Sequence, residues 1–254
     1  MAPNNSGLGR ILLLAVCVAL VIFINRRVHG PGPQSSSRIE HPPLHEGKPP
    51  SEERRPEQFL RHERRPGYRE QIPAFCHSFG TSCDSRYFGS WNEPVDVACR
   101  VRSSHGYPIP DPQCTPGGIN PTVTVTLLRN PDWKTRCIRN CQTSEAEKHI
   151  AYDWYGIQKP RPNSGNRQVC ELDHLVPLEL GGADGLGNIW PECGPDEATL
   201  QNRYFKVKDR VENYLADEVK SGRISLGSAQ RGIASDWTQY LPAANRYCQA
   251  GGRC

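Results

Sequence analysis

The chain has 254 residues, 31 Lys and Arg against 27 Asp and Glu, 36% hydrophobic residues and a mean hydropathy of −0.64. That length suits one large domain, or one domain with appendages, and leaves room for a hydrophobic core. With 8% aromatics and one Met, a polytopic membrane protein and a long coiled coil are excluded. The formal charge of +4 is uneven: residues 1–72 hold 11 basic and 7 acidic side chains, and the rest holds 20 of each. A basic field over the whole folded part is therefore absent, and a polyanion site would be a local patch.

In chain order, Arg10 precedes an apolar run from Ile11 to Ile24, followed by Asn25, Arg26 and Arg27. Fourteen residues match a signal-peptide core, whereas a membrane span needs about 20. Residues 1–30 are read as a signal peptide or as an uncleaved anchor through residues 11–24. Residues 31–73 combine Pro-rich pieces such as Lys48-Pro49-Pro50 with mixed charge and no apolar period, a composition that reads as a disordered linker. The domain spans 74–254. Its first part, Ala74 to Asn120, is rich in Cys, Gly, Ser and Pro and predicts loops with short strands at most. Alternating β-branched residues predict a strand at Thr122 to Leu128. Ser144 and Glu147 form a capping-box pattern that predicts a short helix to Tyr155.

A short strand is expected over Leu172 to Leu178, a tight reversal over Gly181 to Gly187, and a returning strand over Asn188 to Pro191. A helix is expected from Asp196 to Val219, because Leu200, Tyr204, Val207, Val211 and Leu215 fall on one helical face. A second helix, Ser225 to Tyr240, carries Leu226, Ala229, Ile233 and Trp237 on a similar stripe. Hairpin followed by helix is a ββα unit, here residues 170 to about 220, and the fold class expected is α+β with added helices and a disulfide-rich N-terminal extension.

Of the 11 cysteines, Cys17 lies in the apolar run. The other ten, an even number in a Pro- and Gly-rich domain, predict up to five disulfides and an oxidising compartment, hence a secreted or extracytoplasmic location. Cys170 and Cys193 emerge at the open end of the predicted hairpin and are expected to pair. The competing reading is a Cys₄ zinc site of Cys137, Cys141, Cys170 and Cys193.

The segment Asp173-His174-Leu175-Val176-Pro177-Leu178-Glu179-Leu180-Gly181-Gly182, with Asn188-Ile189-Trp190-Pro191-Glu192 and Lys208-Asp209-Arg210-Val211-Glu212-Asn213, resembles the HNH branch of the His-Me finger (ββα-metal) endonucleases. It is most similar to small, apparently exported bacterial HNH-like proteins, and Cys114 to Pro121 resembles their PGAxNP-like segment. The likeness covers about residues 110 to 245.

It implies a metal-dependent endonuclease that hydrolyses DNA, rather than RNA, with little sequence selectivity. Its cofactor would be one divalent ion, Mg²⁺ first and Mn²⁺, Ca²⁺ or Zn²⁺ otherwise. Phosphodiester hydrolysis needs a proton taken from water and charge neutralised on the leaving oxygen. His174 is the expected general base, Asp173 a metal ligand, and Asn188 the group that fixes the His174 ring. Asn202 and Glu212 are the further expected ligands. Lys208 is expected beside them as ligand or phosphate contact, and Arg203, Lys206 and Arg210 as a basic edge for backbone phosphates. Adjacent side chains splay apart on a strand, so bringing Asp173 and His174 together would require a local twist. The rival readings are an exported binding or structural module on an inactive HNH scaffold, and a toxin-like effector with an immunity or inhibitor protein as partner.

Overall fold

The computed structural model describes residues 72–254, so the apolar run and the linker lie outside the described residues. The described part is a mixed α and β structure with three small antiparallel sheets and six α-helices. Among the described residues no helix is long and apolar enough to cross a membrane.

The N-terminal third is loop held by short pairings. β1 (Arg86–Tyr87) pairs with β4 (Gly118–Ile119), and β2 (Arg102–Ser104) with β3 (Tyr107–Ile109). The predicted strand at Thr122 to Leu128 is instead α1 (Val125–Arg129): the Thr124 side chain accepts the Leu127 N–H as an N-cap, and Leu128 is buried in the core. A local cap and one core contact outweigh the β preference of alternating threonines, because that preference is only a tendency to fit a pleated, packed surface. The capping box is present. Ser144 and Glu147 exchange side-chain and backbone bonds at the start of α2 (Glu145–Lys148), which runs into α3 (Ile150–Trp154).

β5 (Cys170–His174) and β6 (Ile189–Cys193) form the hairpin in the register Cys170↔Cys193, Glu171↔Glu192, Leu172↔Pro191, Asp173↔Trp190, His174↔Ile189. The first strand ends at His174 rather than Leu178, because Pro177 is followed by a 3-10 turn at Leu178–Leu180 that closes on Gly181 at φ +71°. Gly182 is required by close approach, since a Cβ there would lie 1.8 Å from the Val176 carbonyl oxygen. The β4 segment docks on this loop: Ala183 N–H donates to the Gly118 carbonyl, Asn120 N–H to that of Gly181, and Gly117 N–H to that of Gly187. The segment from Gly117 to Asn120 thus braces the hairpin loop.

α4 (Tyr204–Ser221) starts eight residues later than expected, because a separate 3-10 turn at Leu200–Asn202 precedes it and Arg203 is extended. Its apolar stripe buries Val207, Val211, Leu215 and Val219, and Gly222 closes it in the left-handed region. α5 (Leu226–Asp236), capped by Ser225, packs Ala229 and Ile233 into the same core, followed by a 3-10 turn at Trp237–Tyr240 and α6 (Leu241–Gln249). That core also takes Val176, Leu178 and Leu180 from the hairpin loop, while a second cluster gathers Leu175, Trp154, Tyr155 and the fully buried Trp190 around Cys99 and Cys114. The hairpin therefore sits between α3 on one side and α4 on the other.

All ten cysteines from Cys76 onward are paired, as Cys76–Cys137, Cys83–Cys141, Cys99–Cys114, Cys170–Cys193 and Cys248–Cys254. Cys170–Cys193 staples the open end of the hairpin as expected. The Cys₄ zinc alternative fails, because Cys137 and Cys141 reach back to Cys76 and Cys83 instead of converging with Cys170 and Cys193. Five bridges fit an oxidising compartment.

Candidate active site

Asp173 and His174 are consecutive on β5, and strand alternation sends them to opposite faces of the hairpin. Both are buried, at 7% and 8% exposure. On one face the His174 Nε2 lies 2.7 Å from Asp184 Oδ1. A carboxylate only accepts, so Nε2 carries a proton and donates, and in the neutral ring the lone pair lies on Nδ1. The Nδ1 edge has no hydrogen-bond partner among the described residues, and the side chain keeps 9% of its surface exposed. Asp184 is in turn held by Lys148, whose Nζ lies 2.9 Å from the same Oδ1. The other Lys148 protons go to Glu145 Oε1 at 2.9 Å and Asn140 Oδ1 at 2.8 Å. Burial alone would raise the Asp184 carboxyl, but the His174 hydrogen bond, the attraction of the His174 ring in its protonated form and the Lys148 charge hold it below the usual carboxylate range.

On the other face Lys208, from α4, is fully buried. Its Nζ lies 2.7 Å from Asp173 Oδ2, pairs with Glu212 one helical turn on, and donates to the His174 carbonyl at 2.9 Å. Two of the ammonium protons are thus used in hydrogen bonds, to Glu212 and to the His174 carbonyl, and Asp173 is held by charge. Burial pulls the Lys208 ammonium down, yet Asp173, Glu212 and Glu192 push it well above the usual lysine value. Glu192 is fully buried with neither oxygen hydrogen-bonded. Burial, then the charge of Asp173, raises its carboxyl well above the usual carboxylate range. Burial first, then Asp173, pushes Glu171 up to about 7. Burial also raises Glu212, to about 8, against the opposing pull of Lys208.

The remaining expected site residues are elsewhere. Asn188 is buried and saturated: its amide oxygen accepts from the Val176 and Gly118 N–H groups, and its NH₂ donates to the Val176 and Ala183 carbonyls. It fixes the loop after His174, and the ring itself is oriented by Asp184. Asn202 lies outside α4, exposed, donating to Thr199 Oγ1, so it joins no ligand set. Arg203 is buried, with its guanidinium on the Pro195 carbonyl, and cannot form a surface edge with its neighbours. Lys208 is sealed inside and contacts no phosphate. Lys206 pairs with Asp209 at 2.7 Å and Arg210 donates to the Gln201 carbonyl. Lys206 and Arg210 line an open groove of about 710 Å³ on the outer side of α4 with Gln201, Asn213 and Asn245, about 200° around the helix from Lys208.

Asp173 and Glu212 therefore do not fit the role of free ligands: their carboxylates share one ammonium, and among the described residues no three His, Cys, Asp or Glu side chains converge as a metal-ligand set. Asp184 and Lys148 are the functional candidates that sequence reasoning missed. Asp184 sat in a stretch read only as a reversal, and Lys148, at i+3 from Glu145, reads as an ordinary surface pair. Comparison of the chain with protein-family models, curated proteins and solved structures finds no match.

Proposed function

We propose that the chain is an extracytoplasmic nuclease, hydrolysing phosphodiester bonds on a ββα core made of β5, β6 and α4, with His174 as the general base. The observation that carries this reading is the buried His174 with Nε2 tied to Asp184 and Nδ1 unpartnered. One nitrogen anchored to a carboxylate leaves the other as a proton acceptor of fixed direction, and the carboxylate stabilises the imidazolium once the proton has moved. His174 Nδ1 takes the proton of the attacking water, Asp184 balances the new charge, and Lys148 keeps Asp184 from rotating away. Phosphodiester as the substrate, DNA before RNA, rests on the similarity of the DHLVPLELGG, NIWPE and KDRVEN segments to HNH proteins. The location outside the cytoplasm rests on the disulfides and the apolar run at residues 11–24.

The test is cleavage of supercoiled plasmid and of single-stranded RNA by the purified disulfide-intact protein, with added Mg²⁺ and with chelator. Cleavage that His174→Ala lowers by on the order of 10² to 10⁴ without loss of fold supports the assignment. A His174→Ala protein that cuts at the parental rate sinks it. The second reading is a non-catalytic module on the same scaffold. It is favoured by Asp173 and Glu212 both being taken up by Lys208, by Arg203 being buried on the Pro195 carbonyl and by Lys206 being paired with Asp209. Absence of cleavage in every buffer selects it.

A further inference from the structure

We infer that the Lys208 ammonium is the resident cation of this site, standing where the family likeness calls for a divalent ion, so that the protein neither binds nor requires one there. The inference deepens the proposed nuclease reading and rests on it only for its catalytic consequence. The two carboxylates expected as ligands, Asp173 and Glu212, converge on Nζ, which also donates to the His174 carbonyl. Three oxygens from three points of the hairpin and helix thus surround one positive charge, as they would surround a metal. The cage is closed to water: Lys208 and Glu192 have no exposed surface, and the Asp173 and Glu212 side chains keep 8% and 14%.

Mg²⁺ dehydrates reluctantly and keeps several waters in an octahedral shell at about 2.0 to 2.1 Å, which this space does not admit. Lys208 lies on the buried face of α4 with Val211 and Leu215, so its stem is part of the core packing. The positive charge that would hold Asp173 and Glu212 in place is instead built into the chain. The ammonium fixes Asp173 and, through the His174 carbonyl, the end of the strand whose side chain does the proposed proton transfer. Lys208 is thereby a positioning residue.

The experiment compares thermal unfolding of the disulfide-intact protein at pH 7.5 in excess EDTA, in MgCl₂ and in MnCl₂, together with native mass spectrometry after dialysis against MnCl₂. The expected result is melting curves that coincide within about 1 °C and a mass with no stoichiometric metal. Asp173→Asn and Glu212→Gln are expected to lower Tm equally in EDTA and in MnCl₂. A bound Mn²⁺ at one per chain with Tm raised by roughly 5 to 10 °C, as tight binding to a domain of this size gives, would overturn the inference, and loss of that rise in Asp173→Asn would place the ion here. Wild-type protein alone decides the matter if the variants do not fold. Cleavage run in parallel separates the two readings: cleavage abolished by EDTA overturns the inference, whereas no cleavage in any buffer removes the proposed activity and leaves the binding result to judge Lys208.

Discussion

Replacing Lys208 by Met removes the ammonium while keeping most of the volume of its stem, and leaves Asp173 and Glu212 inside the protein without their shared cation. At an effective dielectric of about 20, a pair 2.7 Å apart attracts by roughly 6 kcal/mol before desolvation is subtracted. Glu212, raised to about 8 by burial, is a second and weaker partner of the same nitrogen at pH 7.5. Much of that attraction only offsets the cost of burying the charges, but the cost of burying Asp173 stays in the variant after its partner has gone. Breaking a buried pair in this way typically destabilises by about 3 to 5 kcal/mol. For a domain of 150 to 250 residues that is a drop of roughly 6 to 20 °C in Tm.

Urea unfolding of wild type and Lys208→Met at pH 7.5 with disulfides intact, followed by tryptophan fluorescence, measures the difference directly, since Trp190 is fully buried on the hairpin itself. The double variant Lys208→Met with Asp173→Asn is expected to recover part of the loss, because it removes one of the stranded charges, and the coupling between the two sites measures the pair. A Lys208→Met protein within about 1 kcal/mol of wild type would refute the reasoning: the ammonium would then not be what ties α4 to Asp173.

Asp184→Asn is expected to keep the fold and lower cleavage by about 10² to 10⁴, because a neutral amide neither fixes the Nε2–H tautomer of His174 nor balances the imidazolium; parental kcat in steady-state assays would free Asp184 of the role. Glu171 and Glu212, raised to about 7 and about 8 from an ordinary 4.5, bind protons more tightly folded than unfolded, so their contribution is complete below pH 4.5 and is lost as pH rises through 7 and 8. The protein should therefore lose a few kcal/mol between pH 5 and pH 8.5, and urea midpoints that rise with pH across that window would contradict the buried-acid cluster. Cys170→Ala with Cys193→Ala opens a loop with a sequence separation of 23, worth about 3.5 kcal/mol in loop entropy. Tm should fall by roughly 7 to 14 °C, and a fall below about 2 °C would show that the hairpin holds its register without the staple.

Much of this architecture is legible from local chemistry. The capping box at Ser144, the hairpin from Cys170 to Cys193, the disulfide at its mouth and the stripe of α4 are set by residues near one another in sequence, or by periods that a single helix or strand imposes. The misreadings arise where a short-range signal competes with a contact across the fold. Thr122 to Leu128 alternates like a strand, but the Thr124 cap and the burial of Leu128 make it a helix. Asn202 has the right chemistry and approximate place for a ligand, yet the chain folds as a separate 3-10 turn there and never carries it onto α4. Asn188 has the right burial but spends all its bonds on backbone groups of neighbouring loops.

The site shows most clearly what sequence withholds. An acid and an imidazole that are adjacent on a strand must face opposite ways, and once both are buried each needs a counter-charge of its own, because an unpaired charge in the interior is far more costly than a paired one. The strand cannot provide those partners. They come from helices on its two sides: Lys148 reaches His174 through Asp184, and Lys208 meets Asp173 directly. Lys148 belongs to a helix that reads locally as a solvated face, and Lys208 to one whose charges at i and i+4 read as a surface pair. A divalent ion shared by Asp173 and Glu212 would have drawn the ligands together in one place. Two lysines, 60 positions apart in the chain, instead hold the pair from both sides, and that division follows from the alternation of β5.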